Sequence, residues 1–223
     1  MTLHNTDTKA AAFRKVIAAV RDLSCDEREM IRAAKYYGAI LWRNHVGIYR
    51  DDCYEDLIFA ECDGLSIAPV STKPVLHVIS EAYATGGHTR LLERLHAFSP
   101  DQSDVLITLP TTDASALRGA AGAAAIFSER GFSIEELAAF MGGSKCVCLH
   151  IHPDDIGAAV AARIARHRFG TRVIFVNHAD HVFSFGYAAA DVIAEISGFG
   201  LAKSRCYGRG ASVFMGLPLP VQE

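Results

Sequence analysis

Between Val75 and Val176 the apolar residues gather into short blocks, Val75–Ile79, Val105–Leu109, Ala123–Phe127, Cys146–His150 and Arg172–Val176, each of strand length. The segments between and after them, Arg90–Phe98, Ile134–Met141, Ile156–His167 and Ala188–Ser197, place their apolar residues three and four apart, as one face of a helix does. Strands alternating with helices build βαβ units, so the pattern predicts an α/β fold: a Rossmann-like parallel sheet with flanking helices. Ser133 and Glu136 have the spacing of a capping box at the head of one of these helices.

Upstream the pattern is different. Residues 7 to 62 read as helical: Ser24 and Glu27 repeat the capping-box spacing, and Met30, Ile31, Ala34, Tyr37, Gly38, Leu41, Trp42 and His45 then recur on one face. Asp51-Asp52 opens a further short helix that ends near Asp63-Gly64. The segment SIAPVSTKP, rich in proline and serine, marks a linker. The expected organisation is a small helical segment over 1–65, a linker over 66–73 and a Rossmann-like domain over 74–220.

With 223 residues, half of them apolar, the chain can bury a full core. The net charge of −3 arises from well-mixed signs with no basic stripe, which argues against a nucleic-acid partner. Polar residues or glycine interrupt the apolar runs before they reach the roughly 18 residues of a membrane span, and MTLHNTDTK lacks the form of a secretory signal. A cytoplasmic location is expected. The six cysteines show no paired C-x-x-C spacing and are read as free thiols.

Ligands of an open parallel sheet bind at the carboxyl ends of its strands. Three of these ends are chemically unusual: Glu81–Thr89, the run HIHPDD from His150 to Asp155, and VNHADHVF from Val176 to Phe183. Gly86-Gly87 allows close backbone approach, and a helix starting near His88 or Thr89 would turn free N–H groups toward an anion such as a phosphate. A tight turn alone would also use two glycines. Neither G-x-G-x-x-G nor the P-loop pattern is present. Cys146, Cys148, His150 and His152 share one strand face but spread too far to surround one ion, so the cysteines read as small hydrophobes and the two histidines as exit residues. Pro153 starts the next helix with Asp154 and Asp155 in its first turn. His178, after the strongest strand, can donate a hydrogen bond to a substrate hydroxyl or exchange a proton with it.

Taken together, VLHVISEAYATGGHTRLLERL, LHIHPDD, VNHADHVF and DVIAEISGFG…RGASVFMGLPLP resemble the amino-terminal half of group 1-like nucleotide-sugar glycosyltransferases of GT-B architecture. The resemblance covers about Pro74 to Pro220. It implies that Gly86 and Gly87, with His88 and Thr89, face the donor diphosphate, that His178 lies beside the transferred sugar as the catalytic residue, and that His150, His152, Asp180 and Ser197 complete the substrate site. ADVIAEIS matches the family's helix and strand with a D-x-(apolar)-x-x-S pattern, and LPLP its interdomain linker. The implied activity is sugar transfer to an acceptor hydroxyl, in polysaccharide or glycoconjugate biosynthesis, with no cofactor and no catalytic metal. The implied partners are a nucleotide-sugar donor, a sugar or glycoconjugate acceptor, and a second, nucleotide-binding domain or partner chain. Without that lobe, a wall including Phe183, Phe185, Phe214, Met215 and Leu217 is expected to be exposed and to self-associate or bind a partner. HPDD also resembles the first zinc motif of deacetylases acting on N-acetylglucosamine derivatives, with His152, Asp154, Asp155 and His181 in the zinc and base roles. A non-catalytic binding module is the third reading.

Overall fold

A computed structural model describes residues 27–45, 47–120, 122–207 and 210–218, together with Ala11 and Lys15. Two helices come first, α1 (Glu27–Asn44) and α2 (Asp52–Cys62). There follow β1 (Val75–Ile79), α3 (Gly87–His96), β2 (Ser103–Ile107), β3 (Ala125–Ile126), α4 (Ile134–Gly142), β4 (Cys146–His150), α5 (Ile156–Phe169), β5 (Arg172–Asn177), β6 (Val192–Glu195), α6 (Gly198–Tyr207) and β7 (Ala211–Phe214). All seven strands are parallel and lie in the order β3-β2-β1-β4-β5-β6-β7. The α/β Rossmann-like sheet read from the alternating pattern is therefore present. Its order reverses between β1 and β4, which opens a crevice at their carboxyl ends.

The strands are cut as the residues demand. In β2 every residue is buried, including Ser103 and Asp104, so the strand starts two residues before the apolar block does. Asp104 accepts from Lys73 N (3.1 Å) and Ala124 N (3.1 Å), and this makes it tolerable inside. The stretch Ala188–Ser197 is not a helix. Ala188, Ala189 and Ala190 are a buried turn, and Asp191 then pairs with Val173 through both its backbone N (2.8 Å) and its carboxylate (2.9 Å), launching β6 beside β5. Alanine favours a helix, but burial between strands overrides that preference. The helix lies one element later, as α6, and β7 forms the sheet edge after it.

The helical segment joins the same core. On α1, Met30, Ala34, Tyr37 and Leu41 are buried, and Tyr37 packs edge-on against Phe183 (5.7 Å) and near Phe185 (6.3 Å). Phe183 and Phe185 are thus 1% and 0% exposed, which removes them from the expected open wall, whereas Phe214 (61%) and Leu217 (58%) do face solvent and Met215 is half-buried. A Cβ on Gly38 would sit 2.6 Å from the Phe185 ring and 3.0 Å from the Asp154 backbone, so glycine lets α1 lie directly on the loop after β4. Ser24, Cys25 and Asp26 of the expected upstream cap lie outside the described residues, as do residues 16–23. The stretch 66–73 runs against α4: Val70 N donates to Ala139 O (2.9 Å) and the Thr72 and Ser144 hydroxyls meet at 2.6 Å. Among the described residues no helix is long and apolar enough to cross a membrane.

One buried group links α2 to the sheet. Glu55 accepts from Gly186 N (3.1 Å), and burial pushes its carboxyl up from 4.5 to about 8, against the lowering effect of that hydrogen bond. The folded state thus holds a proton on Glu55 that the unfolded chain releases near the ordinary carboxyl range. Its contribution is complete below about pH 4.5 and is lost as pH rises through about 8, with a slope of at most about 1.4 kcal/mol per pH unit. Thermal unfolding across pH 5 to 8 is expected to show this decline, and Glu55→Gln, which keeps an acceptor for Gly186, is expected to flatten it. An unchanged slope in the variant would refute the assignment.

Candidate functional site

The crevice between β1 and β4 is held by one carboxylate. Asp155 is the N-cap of α5, with Oδ1 accepting from Ala158 N (3.1 Å). Its Oδ2 accepts from Ser80 at the end of β1 (2.6 Å) and from Thr108 at the end of β2 (2.6 Å). The Ser80 oxygen in turn accepts from His152 N (2.8 Å), so the loop after β4 is fastened to the end of β1. All three side chains are buried. Three donors from the protein occupy Asp155, two of them on Oδ2, so this aspartate builds the site.

Imidazoles line the space above it. His88 is half-buried and its Nε2 lies 2.9 Å from the Glu81 carbonyl, which only accepts, so Nε2 carries the proton and Nδ1 is left as an acceptor. By the same reasoning the Nδ1 of His178 donates to the Val176 carbonyl (3.3 Å) and its Nε2 is the acceptor. The two rings stack at 5.5 Å and 25°, and His152 meets the edge of His88 at 5.5 Å. Burial pushes His178 down to about 4 and lowers His88 as well, each reinforced by its imidazole neighbours. Both rings are therefore neutral at ordinary pH. In this state the free Nε2 of His178 can only accept a hydrogen bond, where the sequence alone suggested donation to a hydroxyl or proton exchange with it.

Of the remaining candidates, Gly86 is the N-cap of α3 and Gly87 its first residue. A Cβ on Gly87 would meet nothing within 4 Å, so the amino end of α3 opens to free space, whereas one on Gly86 would meet Tyr83 at 2.9 Å. Thr89 is buried and its hydroxyl accepts from Tyr83 N (2.9 Å), fixing the loop. His150 is buried too, with Nε2 at 3.2 Å from His77 Nδ1, and burial holds it well below the usual histidine range. Asp180 and Ser197 form a separate group at the ends of β5 and β6. The Ser197 hydroxyl donates to Asp180 and accepts from Gly200 N (3.0 Å), while Lys203 donates to the Asp180 carbonyl (3.1 Å). Beside them Asn177 and Ser204 donate to Glu195, whose carboxyl burial raises. Gly87, His88, His152 and His178 thus converge, and Thr89, His150, Asp180 and Ser197 are bonded within the protein around them.

No protein-family model, curated protein or solved structure matches the chain.

A cavity of about 720 Å³ adjoins the imidazoles. Trp42, Arg43 and His45 of α1 and the turn after it form one wall; Glu81 and Tyr83, His152 to Asp154, and Ala179, His181 and Val182 form the others. Trp42 had no signal as a site residue in the sequence, because nothing in a helical face says which cavity it will border; Glu81 and Tyr83 lie in the strand exit Glu81–Thr89 but are not among the site residues named within it. Ser80 did carry a signal, as a hydroxyl immediately after an apolar block, whereas Thr108 lies inside the block Val105–Leu109 and becomes an exit residue because β2 stops at Ile107. The zinc reading needs His152, Asp154, Asp155 and His181 around one ion, but Asp155 is bonded to Ser80 and Thr108 instead. Among the described residues no three metal-ligating side chains are grouped suitably. Cys146 and Cys148 lie farther down β4, at the end remote from the crevice; a hydrogen bond from Cys148 lowers Cys146 to about 7.

These roles separate by stability. Asp155→Ala orphans two buried hydroxyls and a helix N-terminus and is expected to cost on the order of 3 kcal/mol. His152→Ala, at a half-buried ring on the cavity wall, is expected to cost ~1 kcal/mol or less. Urea unfolding of the two variants measures both, and comparable losses would contradict the division between framework and ligand-facing residues.

Proposed function

We propose that the chain is the N-terminal, acceptor-side half of a nucleotide-sugar glycosyltransferase of GT-B architecture, working in the cytoplasm on a sugar or glycoconjugate acceptor. The observation that carries this reading is the open amino end of α3 at Gly87, set beside the stacked neutral imidazoles of His88 and His178. Uncapped N–H groups at a helix start favour a diphosphate. Neutral imidazoles with free acceptor nitrogens favour sugar hydroxyls and add no charge that would compete for the phosphate. The sequence resemblance assigns the glycine turn, with His88, to the donor diphosphate and His178 to the transferred sugar.

In such an enzyme His178 accepts from a hydroxyl of the transferred sugar and positions the ring while the anomeric carbon's bond to the diphosphate breaks and its bond to the acceptor oxygen forms, the acceptor's proton passing to the departing diphosphate. The leaving diphosphate gains charge in that step, and N–H groups fixed at the start of α3 stabilise it without reorganising. The second lobe that the resemblance implies supplies the nucleotide contacts. A metal is not required by this arrangement.

The test is sugar transfer from a panel of nucleotide sugars, followed by mass spectrometry on the full protein that carries this half. His178→Ala is expected to lower kcat ~10²-fold while Tm changes little. Gly87→Val, which fills the open space without touching the sheet, is expected to weaken donor binding. The His178 contribution should show no inflection between pH 5 and 8, because its ring is already neutral there. Normal turnover in both variants, or no transfer from any donor, would remove the reading.

A further inference from the structure

The cavity under α1 is the feature that neither the diphosphate nor the imidazole pair uses. We infer that it binds a neutral saccharide, laid against Tyr83 and Trp42; that this saccharide is the acceptor rests on the transferase reading above, whereas the binding site does not.

Its size, about 720 Å³, falls within the range of roughly 300–1,000 Å³ found for small-molecule sites. Its walls present apolar ring surface beside both donors and acceptors. Tyr83 is 44% exposed, yet its ring is clamped: it stacks on His152 at 6.0 Å and 10°, meets His88 edge-on at 5.4 Å, and its hydroxyl donates to Glu81. A half-exposed aromatic ring held in place by these contacts at the wall of a cavity offers a platform to a ligand. Trp42 borders the same cavity with its indole Nε1 buried and without a hydrogen-bond partner among the described residues. An indole N–H only donates, so it requires an acceptor oxygen.

Charge narrows the class. The lining carries one arginine, Arg43, whose guanidinium lies over the Trp42 ring, against two carboxylates, Glu81 and Asp154, so it has no net positive charge to retain a phosphate or a uronate. Hydroxyl groups, which donate and accept alike, satisfy such a mixed lining, while the C–H faces of a pyranose ring cover Tyr83. The wall is also built at a cost. Gly38 is needed for α1 to reach the Asp154 loop, and His45, just past the end of α1, takes φ 47°, where non-glycine residues are strained, with its ring stacked on His181 at 6.5 Å.

Trp42 is the single tryptophan of the chain, so its emission reports on this cavity directly. The protein is titrated with glucose, galactose, mannose, N-acetylglucosamine and disaccharides of these, with glucuronic acid and uridine as contrasts. A saturable change in Trp42 emission is expected with at least one neutral sugar. It should weaken about tenfold in Tyr83→Ala, equivalent to about 1.4 kcal/mol, and survive in Tyr83→Phe. The site is overturned if no neutral sugar changes the emission of the folded protein, if Tyr83→Ala binds as the parent does, or if only uridine or glucuronic acid acts. The two readings fail separately. Neutral-sugar binding without any nucleotide-sugar transfer would end the transferase reading and leave the site, and transfer without any effect of neutral sugars on Trp42 would do the reverse.

Discussion

The Asp155 carboxylate sits where the strand order reverses, and three elements meet on it at the point where the β1–β2 ladder ends with Leu109 N donating to Ser80 O (3.1 Å). β1 brings Ser80, β2 brings Thr108, and α5 brings its own free backbone N–H. Parallel strands register through the ladder along their length, but nothing in the ladder fixes the loops that leave their carboxyl ends. Here a single buried acceptor does so. It is stabilised by every donor it meets, and each donor would be an unsatisfied buried group without it. Because Ser80 also receives His152 N, the path of the loop after β4 follows from the same carboxylate. The position of His152 against Tyr83 and the floor of the cavity are set in turn.

Burial then decides the chemistry of the histidines. His77, His150 and His178 lie at or behind the strand ends, and burial presses all three below the usual histidine range, His77 and His178 to about 4. Several imidazoles within one small volume cannot charge together, since each proton raises the cost of the next. In the fold the buried part of this cluster is a neutral, polar surface, with its tautomers fixed at His88 and His178. Its hydrogen-bond directions are dictated by backbone carbonyls, those of Glu81 and Val176, that can only accept.

The sheet was legible because parallel strands buried on both faces leave continuous apolar blocks, and β1 and β4 are bounded where those blocks are. Ala188–Ser197 was misread because three alanines carry helical propensity and no periodicity strong enough to oppose it; what makes the segment a strand is the pairing of Asp191 with Val173, which is a tertiary fact. The strand exits could be named from the position of glycine, histidine and hydroxyl residues after apolar blocks. Which of those residues face outward could not. Thr89 and His150 stand as close in sequence to the exits as Gly87 and His152 do, and only the packing of the Tyr83 loop and the contact with His77 turn them inward.

The helical segment shows why its role escaped a reading by domains. Taken alone, α1 is an amphipathic helix whose apolar face needs a partner, and a separate helical segment before a linker is the economical expectation. In the fold that face lies on Phe183 and Phe185, and Gly38 brings the helix backbone down to Asp154. The buried half of α1 thus joins the sheet's core, and its carboxyl-terminal turn ends over the strand exits. Trp42 and Arg43 then border a cavity whose other walls come from the ends of β1, β4 and β5. A segment outside the matched part of the glycosyltransferase resemblance therefore encloses one side of the crevice, while the side at Gly87 stays open. Any ligand held by both would bridge a wall of aromatic rings and a helix terminus, which are surfaces of different chemistry, and the neutral imidazoles between them can accept hydrogen bonds from either part.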